Sequence, residues 1–367
     1  MIDTLYLHVP FCEHICFYCD FKRTLYEESL VDTWLLEIEK EIKNKRIQIP
    51  MKTIYIGGGT PTALSLKQLE NLLKVVKPYT NAVHEYTMES NLESIDEEKL
   101  RLLKRYGVNR ISLGVQSYDD KILKIANRKH RREDISKTID QIKYYITNIS
   151  IDLIYGFVNQ SIESWRDTLY CALKENIEHI SIYSLTIEEH SVFAKRNMCC
   201  VANEIEAKMY EEAIDILTRH QFYQYEVANF AKKGYASKHN IQYWKYRDFY
   251  GIGVGASGKE HHQRYTHKGS IKQYVSGIDD IAYEQLKKKD EMFEYIMMNL
   301  RLYEGIDIQE FNDTFQSDFM MFFKNTLDTC INDGYLRYKN THISYTKKGL
   351  FQLHDVLVLF LEAIEKG

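Results

Sequence analysis

The sequence predicts an α/β fold, in which six strand–helix units form a partial barrel or an open sheet and a smaller α+β module follows. Three observations carry this expectation. Short β-rich runs recur at Leu5–Val9, Thr53–Ile56, Glu85–Glu89, Arg110–Val115, Ile149–Ile154 and His179–Leu185. Between them lie segments with apolar residues at helical spacing, such as Trp34, Leu35, Ile38 and Ile42, or Leu66, Leu69, Leu72, Leu73 and Val76. Beyond residue 290 this rhythm stops. Strands that alternate with helices of this length imply parallel pairing through right-handed crossovers. Six units are too few for the eight-fold closed barrel. In either remaining architecture the ligand site lies at the C-terminal ends of the strands.

At 367 residues the chain is long for one ordinary core. The expected division is a barrel over residues 1–220, a β-rich extension over 221–290 and a helical, winged-helix-like module over 291–367. A formal charge of −4 gives no electrostatic case for nucleic acid as the main partner. With no long apolar run and no basic, apolar leader, the expectation is a cytoplasmic chain without membrane spans. In that compartment closely spaced cysteines read as metal or redox ligands rather than as a disulfide framework.

The first unit carries the strongest signal. Its strand ends at Pro10 and opens into Cys12, Cys16 and Cys19, a C-x3-C-x2-C spacing with Tyr18 just before the last cysteine. Iron–sulfur clusters usually take four thiolates, so a four-iron cluster here would keep one iron open to a ligand. The alternative is structural zinc, with His8, His14 or Asp20 as the fourth ligand. After the second strand comes Gly57-Gly-Gly-Thr-Pro61. It reads either as a turn that points N–H groups at a carboxylate or phosphate, or simply as a tight βα turn. After the later strands come Glu89, Ser90 and Asn91, then Gly114, Gln116 and Ser117, with Arg128 beyond a short helix. Asp152 lies inside the apolar fifth strand, where a carboxylate needs a partner. Polar residues from five strands thus point to one rim.

These motifs resemble those of the radical S-adenosylmethionine (SAM) enzymes. They are Tyr6-x-His8-x-Pro-Phe-Cys12-x3-Cys16-x-Tyr18-Cys19 followed by Gly57-Gly-Gly-Thr-Pro61. Within that superfamily the chain is similar to the branch that holds oxygen-independent coproporphyrinogen III oxidase and the HemW heme chaperones. Gly107–Ser117, Asn127-Arg128-x-His130, Asp152–Gly156, Tyr225–Ala231, His239-Asn-Ile-Gln-Tyr-Trp244, Gly251–Ala256 and Leu300–Gly305 continue the match. The resemblance implies a partial (β/α)6 barrel in which Cys12, Cys16 and Cys19 hold a four-iron, four-sulfur (4Fe-4S) cluster whose fourth iron binds SAM. It implies Tyr6 and Tyr18 at the cluster and adenine side and Gly59 and Thr60 at the SAM amino-acid moiety. Glu89, Gln116, Arg128 and Asp152 would orient the rest. The implied partners are heme or another tetrapyrrole, an electron donor such as flavodoxin or ferredoxin, and an apo-haemoprotein acceptor, with peripheral membrane association.

Three features refine the expectation. The oxidase branch carries a further cysteine two residues after the last cluster cysteine, where this chain has Phe21, which favours the chaperone branch over porphyrinogen decarboxylation. A non-catalytic, zinc-stabilised binding protein is the third alternative. The turn after the fifth strand reads Gly156-Phe-Val-Asn-Gln160, without the family's usual proline and second glycine. His239, flanked by Tyr243, Trp244 and Tyr246, reads as a structural histidine from the residues alone and as a heme contact once the resemblance is added. His261, His262 and His267 read as a solvated turn. Near the C-terminus the expectation is helices around Glu291–Leu302 and Phe315–Asp333, a hairpin, and a last helix with Leu350, Leu353, Leu357, Phe360 and Ile364 on one side.

Overall fold

All six expected strands form, most of them a residue or two longer than their apolar runs. They are β1 Thr4–Val9, β2 Thr53–Gly58, β3 Glu85–Ser90, β4 Arg110–Gln116, β5 Asn148–Tyr155 and β6 His179–Ser184. The structure is a computed structural model that describes residues 2–47, 49–278 and 280–366. Three further strands, β7 Tyr223–Gln224, β8 Asn229–Ala231 and β9 Tyr250–Ile252, complete a nine-stranded sheet in the order β9-β1-β2-β3-β4-β5-β6-β8-β7. Pairing is parallel from β9 through β6, and β8 is antiparallel to both β6 and β7. The sheet therefore runs past the expected boundary at residue 220. The reason is edge protection: β9 covers β1, and the β7–β8 pair covers β6, so neither end of the six-strand unit is left bare.

Period-two alternation sets the two faces of this sheet. Ile54, Ile56, Met88, Ile111, Leu113, Ile149, Ile151, Ile180 and Ile182 lie in the core under the surrounding helices. The helix Glu28–Lys45 shows how that layer closes, since it buries Val31, Trp34, Leu35, Ile38 and Ile42. The intervening positions are polar and face a lumen. There Tyr55 meets Glu89, Ser112 meets Asp152, and Ser150 meets His179.

A short helix, Lys238–Trp244, lies at the N-terminal end of this lumen. Glu85, the first residue of β3, fixes it by accepting hydrogen bonds from the Ser237 hydroxyl (3.1 Å) and the amides of Lys238 (2.8 Å) and His239 (2.9 Å). A buried carboxylate at a helix start satisfies donors that no helical carbonyl can reach.

An antiparallel three-stranded sheet of Ser257–Glu260, Gln263–His267 and Ile281–Gln285 follows. His261 and His262 are exposed there, as expected of a turn, but His267 is buried on its strand with Nε2 3.5 Å from Glu41. In the C-terminal module the expected helix Phe315–Asp333 is broken into Ile308–Phe315, Phe319–Phe322 and Lys324–Asn332. Gln316 adopts a left-handed φ of 47°, and Asp318 caps a new start by accepting from the Met321 amide. The hairpin Leu336–Lys339 with His342–Tyr345 is present, joined by Ile306–Asp307 into a three-stranded sheet. The last helix begins at Leu353 and buries Val356, Phe360 and Ile364, while Leu350 lies in a separate short helix. Among the described residues, no helix is long and apolar enough to cross a membrane.

Glu85→Ala leaves the Ser237 hydroxyl and two amides without their buried acceptor. It is expected to lower stability by about 2–4 kcal/mol in chemical denaturation. Glu284→Ala, at an exposed carboxylate, is expected to change it by less than about 0.5 kcal/mol.

Candidate cluster and SAM site

The cysteine loop is held from three sides by backbone and amide contacts. The amides of Thr24 and Tyr26 donate to the carbonyls of Pro10 (2.7 Å) and Cys12 (2.9 Å). Asn127, in the left-handed region at φ 59°, donates its side-chain amide to the Ile15 carbonyl at 2.7 Å, and the Phe17 amide donates to Ala126 at 3.1 Å. The Phe193 amide closes the third side by donating to the Phe17 carbonyl at 3.0 Å.

The glycine turn is joined to the same strand. The Gly59 and Thr60 amides donate to the carbonyls of Val9 and Phe11, each at 2.8 Å. A Cβ at Gly59 would come within 2.7 Å of the Phe11 carbonyl oxygen, so only glycine lets the two backbones approach this closely. Gly58 has a φ of 109°, and its amide donates to Glu89 Oε2 at 2.9 Å. The expectation that this turn offers free N–H groups to a ligand is therefore corrected: all three amides have protein acceptors. What the turn presents to the cavity is its close backbone and the Thr60 hydroxyl, which donates to Cys12 Sγ at 3.7 Å.

Cys12, Cys16 and Cys19 line one cavity of about 370 Å³ at the C-terminal ends of the strands. Gly59, Thr60, Glu89, Gln116, Arg128, Asp152 and Tyr18 line it as well. Gln116 arrives there through a bulge in β4, which shifts register between Gly114 and Gln116 and leaves Gln116 at φ 69°. Tyr18 meets the Phe157 ring edge-on at 6.0 Å. The turn after β5 closes without its proline, because Gln160 Oε1 accepts from the amides of Gly156 (2.8 Å) and Phe157 (3.2 Å).

The charges are arranged in two groups. Arg128 reaches Cys16 Sγ with one terminal nitrogen at 3.3 Å and Asn91 Oδ1 with the other at 2.8 Å. Asn91 in turn donates to the Thr60 hydroxyl at 2.8 Å, so it bridges the glycine turn and the arginine. Burial raises the Cys16 thiol, but His14 and Arg128 outweigh it and bring the group down to about 7. Burial instead pushes Cys12 up to about 12 and Cys19 up to about 11. Behind the loop, Glu93 lies 3.2 Å from His14 Nε2 and 3.7 Å from His130 Nδ1. The second group is the carboxylate pair. Glu89 accepts from the Tyr55 hydroxyl at 2.7 Å, and burial with the neighbouring Asp152 charge raises it to about 7. Asp152, raised by burial, accepts from the Ser112 hydroxyl at 3.2 Å.

Two expected site residues lie elsewhere. Tyr6 does not line the cavity; its hydroxyl pairs with His8 Nδ1 at 2.9 Å, and His8 Nε2 donates to the Lys22 carbonyl at 2.8 Å. Tyr6 thus steadies the loop after the cysteines through His8, whose two nitrogens are both in use and not available to zinc. His239 is fully buried at the other end of the lumen, where Nδ1 pairs with the Thr53 hydroxyl (3.0 Å) and Nε2 with the Tyr243 hydroxyl (2.7 Å). Burial, with the Arg110 charge nearby, lowers its pKa to about 3. Both ring nitrogens of His239 thus have protein partners within the lumen.

Asn91 was read from the sequence only as one of the polar residues at the rim, and Arg110 was not singled out at all. Arg110 is almost wholly buried beneath the carboxylate pair, and among the described residues its Nε has no hydrogen-bond partner. The signal for it was the alternation itself, which places Arg110 on the same face of β4 as Ser112 and Gly114.

Comparison with known proteins agrees with this geometry. The signature of the Radical SAM superfamily matches residues 6–171, and that of the HemN C-terminal domain matches residues 286–351. A Lactococcus lactis protein named heme chaperone HemW is 34% identical, over 98% of this chain and 97% of its own length. The Bacillus subtilis heme chaperone HemW is 33% identical over 98% and 99%, and that of Escherichia coli 30% identical over 98% of each. Among solved structures, coproporphyrinogen III oxidase (HemN) from Escherichia coli, a radical SAM enzyme, superposes with a TM-score of 0.84 over 97% of this chain and 89% of that one. At 21% identity this is a likeness of fold. Aligned from end to end with the heme chaperones at these identities, the chain belongs to the HemW family of the radical SAM superfamily.

Proposed function

We propose that this protein holds a 4Fe-4S cluster on Cys12, Cys16 and Cys19, binds SAM in the adjoining cavity, and carries heme to apo-haemoproteins. Membership in the superfamily implies the cluster and SAM, and the heme-carrying role follows the relatives named heme chaperone. The observation that carries the cofactor reading is the placement of all three cysteines in the same cavity as Thr60, Glu89, Gln116, Arg128 and Asp152. Three cysteines leave one iron of a four-iron cluster open for SAM, whereas structural zinc normally takes four ligands.

When bound, cluster and SAM supply reductive cleavage of the S–C5′ bond, with the electron coming from a flavodoxin- or ferredoxin-type donor. The chain's own part is positioning and exclusion of water. Arg128 places a positive charge beside Cys16 and so favours the thiolate form that ligation needs. Thr60 and Asn91 fix the distance between the cysteine loop and the glycine turn. Glu89 and Asp152 offer carboxylates to the ammonium and hydroxyl groups of SAM, and Tyr18 backed by Phe157 supplies an apolar wall. Phe21, 63% exposed at the rim, brings no sulfur to the site, which separates this reading from porphyrinogen decarboxylation.

Anaerobic reconstitution with iron and sulfide, followed by SAM and a reductant, tests the reading. The expected outcome is a brown protein with about four irons per chain that releases 5′-deoxyadenosine. Cys16→Ala is expected to abolish both properties, and a colourless, zinc-loaded protein would sink the reading. Incubation with coproporphyrinogen III is expected to give no decarboxylation, whereas turnover would shift the assignment to the oxidase branch. SAM affinity should also depend on pH through Glu89. Titrating near 7, its ionised fraction grows about tenfold between pH 6 and 8. SAM should therefore bind more tightly as pH rises across that window, and the rise should vanish in Glu89→Gln.

A further inference from the structure

Residues 121–132 hold six lysines and arginines and no aspartate or glutamate, in a chain whose net charge is −4. Such a run is usually no more than a solvated face. Its place in the fold sets this one apart, because the residues that hold the cysteine loop lie within it. The Ala126 carbonyl accepts from the Phe17 amide, Asn127 donates to the Ile15 carbonyl, and Arg128 reaches Cys16 Sγ. On the other side of the loop, the short helix Val192–Lys195 holds the Phe17 carbonyl through the Phe193 amide. The Arg196 guanidinium stacks over the Phe17 ring at 4.1 Å. Phe17, half-buried and one peptide bond from Cys16, is therefore framed by two basic segments.

Not all of these cations are available to a partner. Arg128 is buried against the site, and Arg132 pairs with Asp167 at 2.6 Å. Lys124, Lys129 and, across the loop, Lys195 are exposed and have no ion pair among the described residues. The acids that precede the run are already engaged. Asp119 accepts from the Lys121 amide (2.9 Å) and the Ser164 hydroxyl (2.7 Å), and Asp120 from the Arg132 amide (2.9 Å). Two exposed acids close to the cysteines in sequence or space, Asp20 and Glu188, line the SAM cavity instead, and Phe17 does not. A partner seated on Phe17 thus meets cations and leaves the cavity free.

We propose that the basic surface around Phe17 is the docking face of the electron donor, a small acidic one-electron carrier protein whose carboxylates meet Lys124, Lys129 and Lys195. The proposal rests on the cluster-and-SAM reading put forward above and adds the place where the electron enters. The transfer is one electron from the carrier, which is oxidised, to the cluster, which is reduced, and no bond forms or breaks in it. A carrier that delivers one electron must leave before the next arrives. Exposed cations that speed the encounter suit it better than a large apolar interface that slows release.

The test is titration of the reconstituted full-length protein with purified flavodoxin and, separately, with a plant-type ferredoxin, with complex formation read by calorimetry. The wild type is expected to bind at least one of the two, with an affinity that falls as salt is raised. Lys124→Glu combined with Lys129→Glu should weaken that binding about tenfold or more. Lys233→Glu combined with Lys289→Glu, the same charge change at other exposed lysines, should leave it unchanged. Release of 5′-deoxyadenosine driven by the reduced carrier should slow along with the binding. The rate driven by dithionite should stay at the wild-type level, which a misfolded variant would not show. If the wild type binds neither carrier, or the Lys124 and Lys129 reversals leave binding intact, the location is wrong and the cluster-and-SAM reading stands. Loss of retention on vesicles of anionic lipid, with carrier binding intact, would assign the surface to a membrane and overturn the proposal. If the wild type releases no 5′-deoxyadenosine even with dithionite, the cluster-and-SAM reading falls and the docking face falls with it.

Discussion

Two backbone hydrogen bonds, from the amides of Gly59 and Thr60 to the carbonyls of Val9 and Phe11, join the second βα turn to the strand that launches the cysteine loop. The other parts of the cluster site are placed relative to this seam. It sets Thr60 against Cys12, and through Asn91 it sets Arg128 against Cys16. A side chain at position 59 would force the strands apart, since its Cβ would meet backbone atoms of Val9 and Phe11 rather than a side chain that can turn aside. The loop's other attachments, at Ala126, Asn127 and Phe193, come from segments distant in sequence. The cysteine loop is thus fixed by contacts from several distant parts of the chain, which is the preorganisation that positioning requires.

The lumen presents a second constraint. Its inward positions carry Glu85, Glu89, Arg110, Asp152 and His179, a set of charges and dipoles that would be costly to bury without partners. The solution differs from end to end. At the floor, Glu85 is consumed by a helix start and His179 by Ser150 and Tyr225. At the rim, Glu89 and Asp152 keep part of their hydrogen-bonding capacity for the cavity. Arg110 lies between these layers, and its charge favours the ionised form of both rim carboxylates. Polar residues that close the barrel and polar residues that serve a ligand are therefore the same residue types on the same strands, separated only by height.

Height along the lumen also decides the surroundings of His239. It lies in a motif dense with aromatics, and its position over β2 engages both nitrogens with Thr53 and Tyr243.

The six strands, their helices and the three-cysteine loop were legible in the sequence because period-two and period-3.6 patterns and close thiolate spacing are local properties. So were most of the residues at the rim, since βα turns place the residue after each strand on one face. Tyr6 and the glycine amides were misplaced, and Arg110 was passed over. Their roles depend on which side chains arrive from other strands, and one sequence carries no record of those meetings. The identity of a residue fixes what it can bond to; only the tertiary structure decided which partners had already claimed it. For His239 both nitrogens were claimed, and for the three cysteines the cavity was left open.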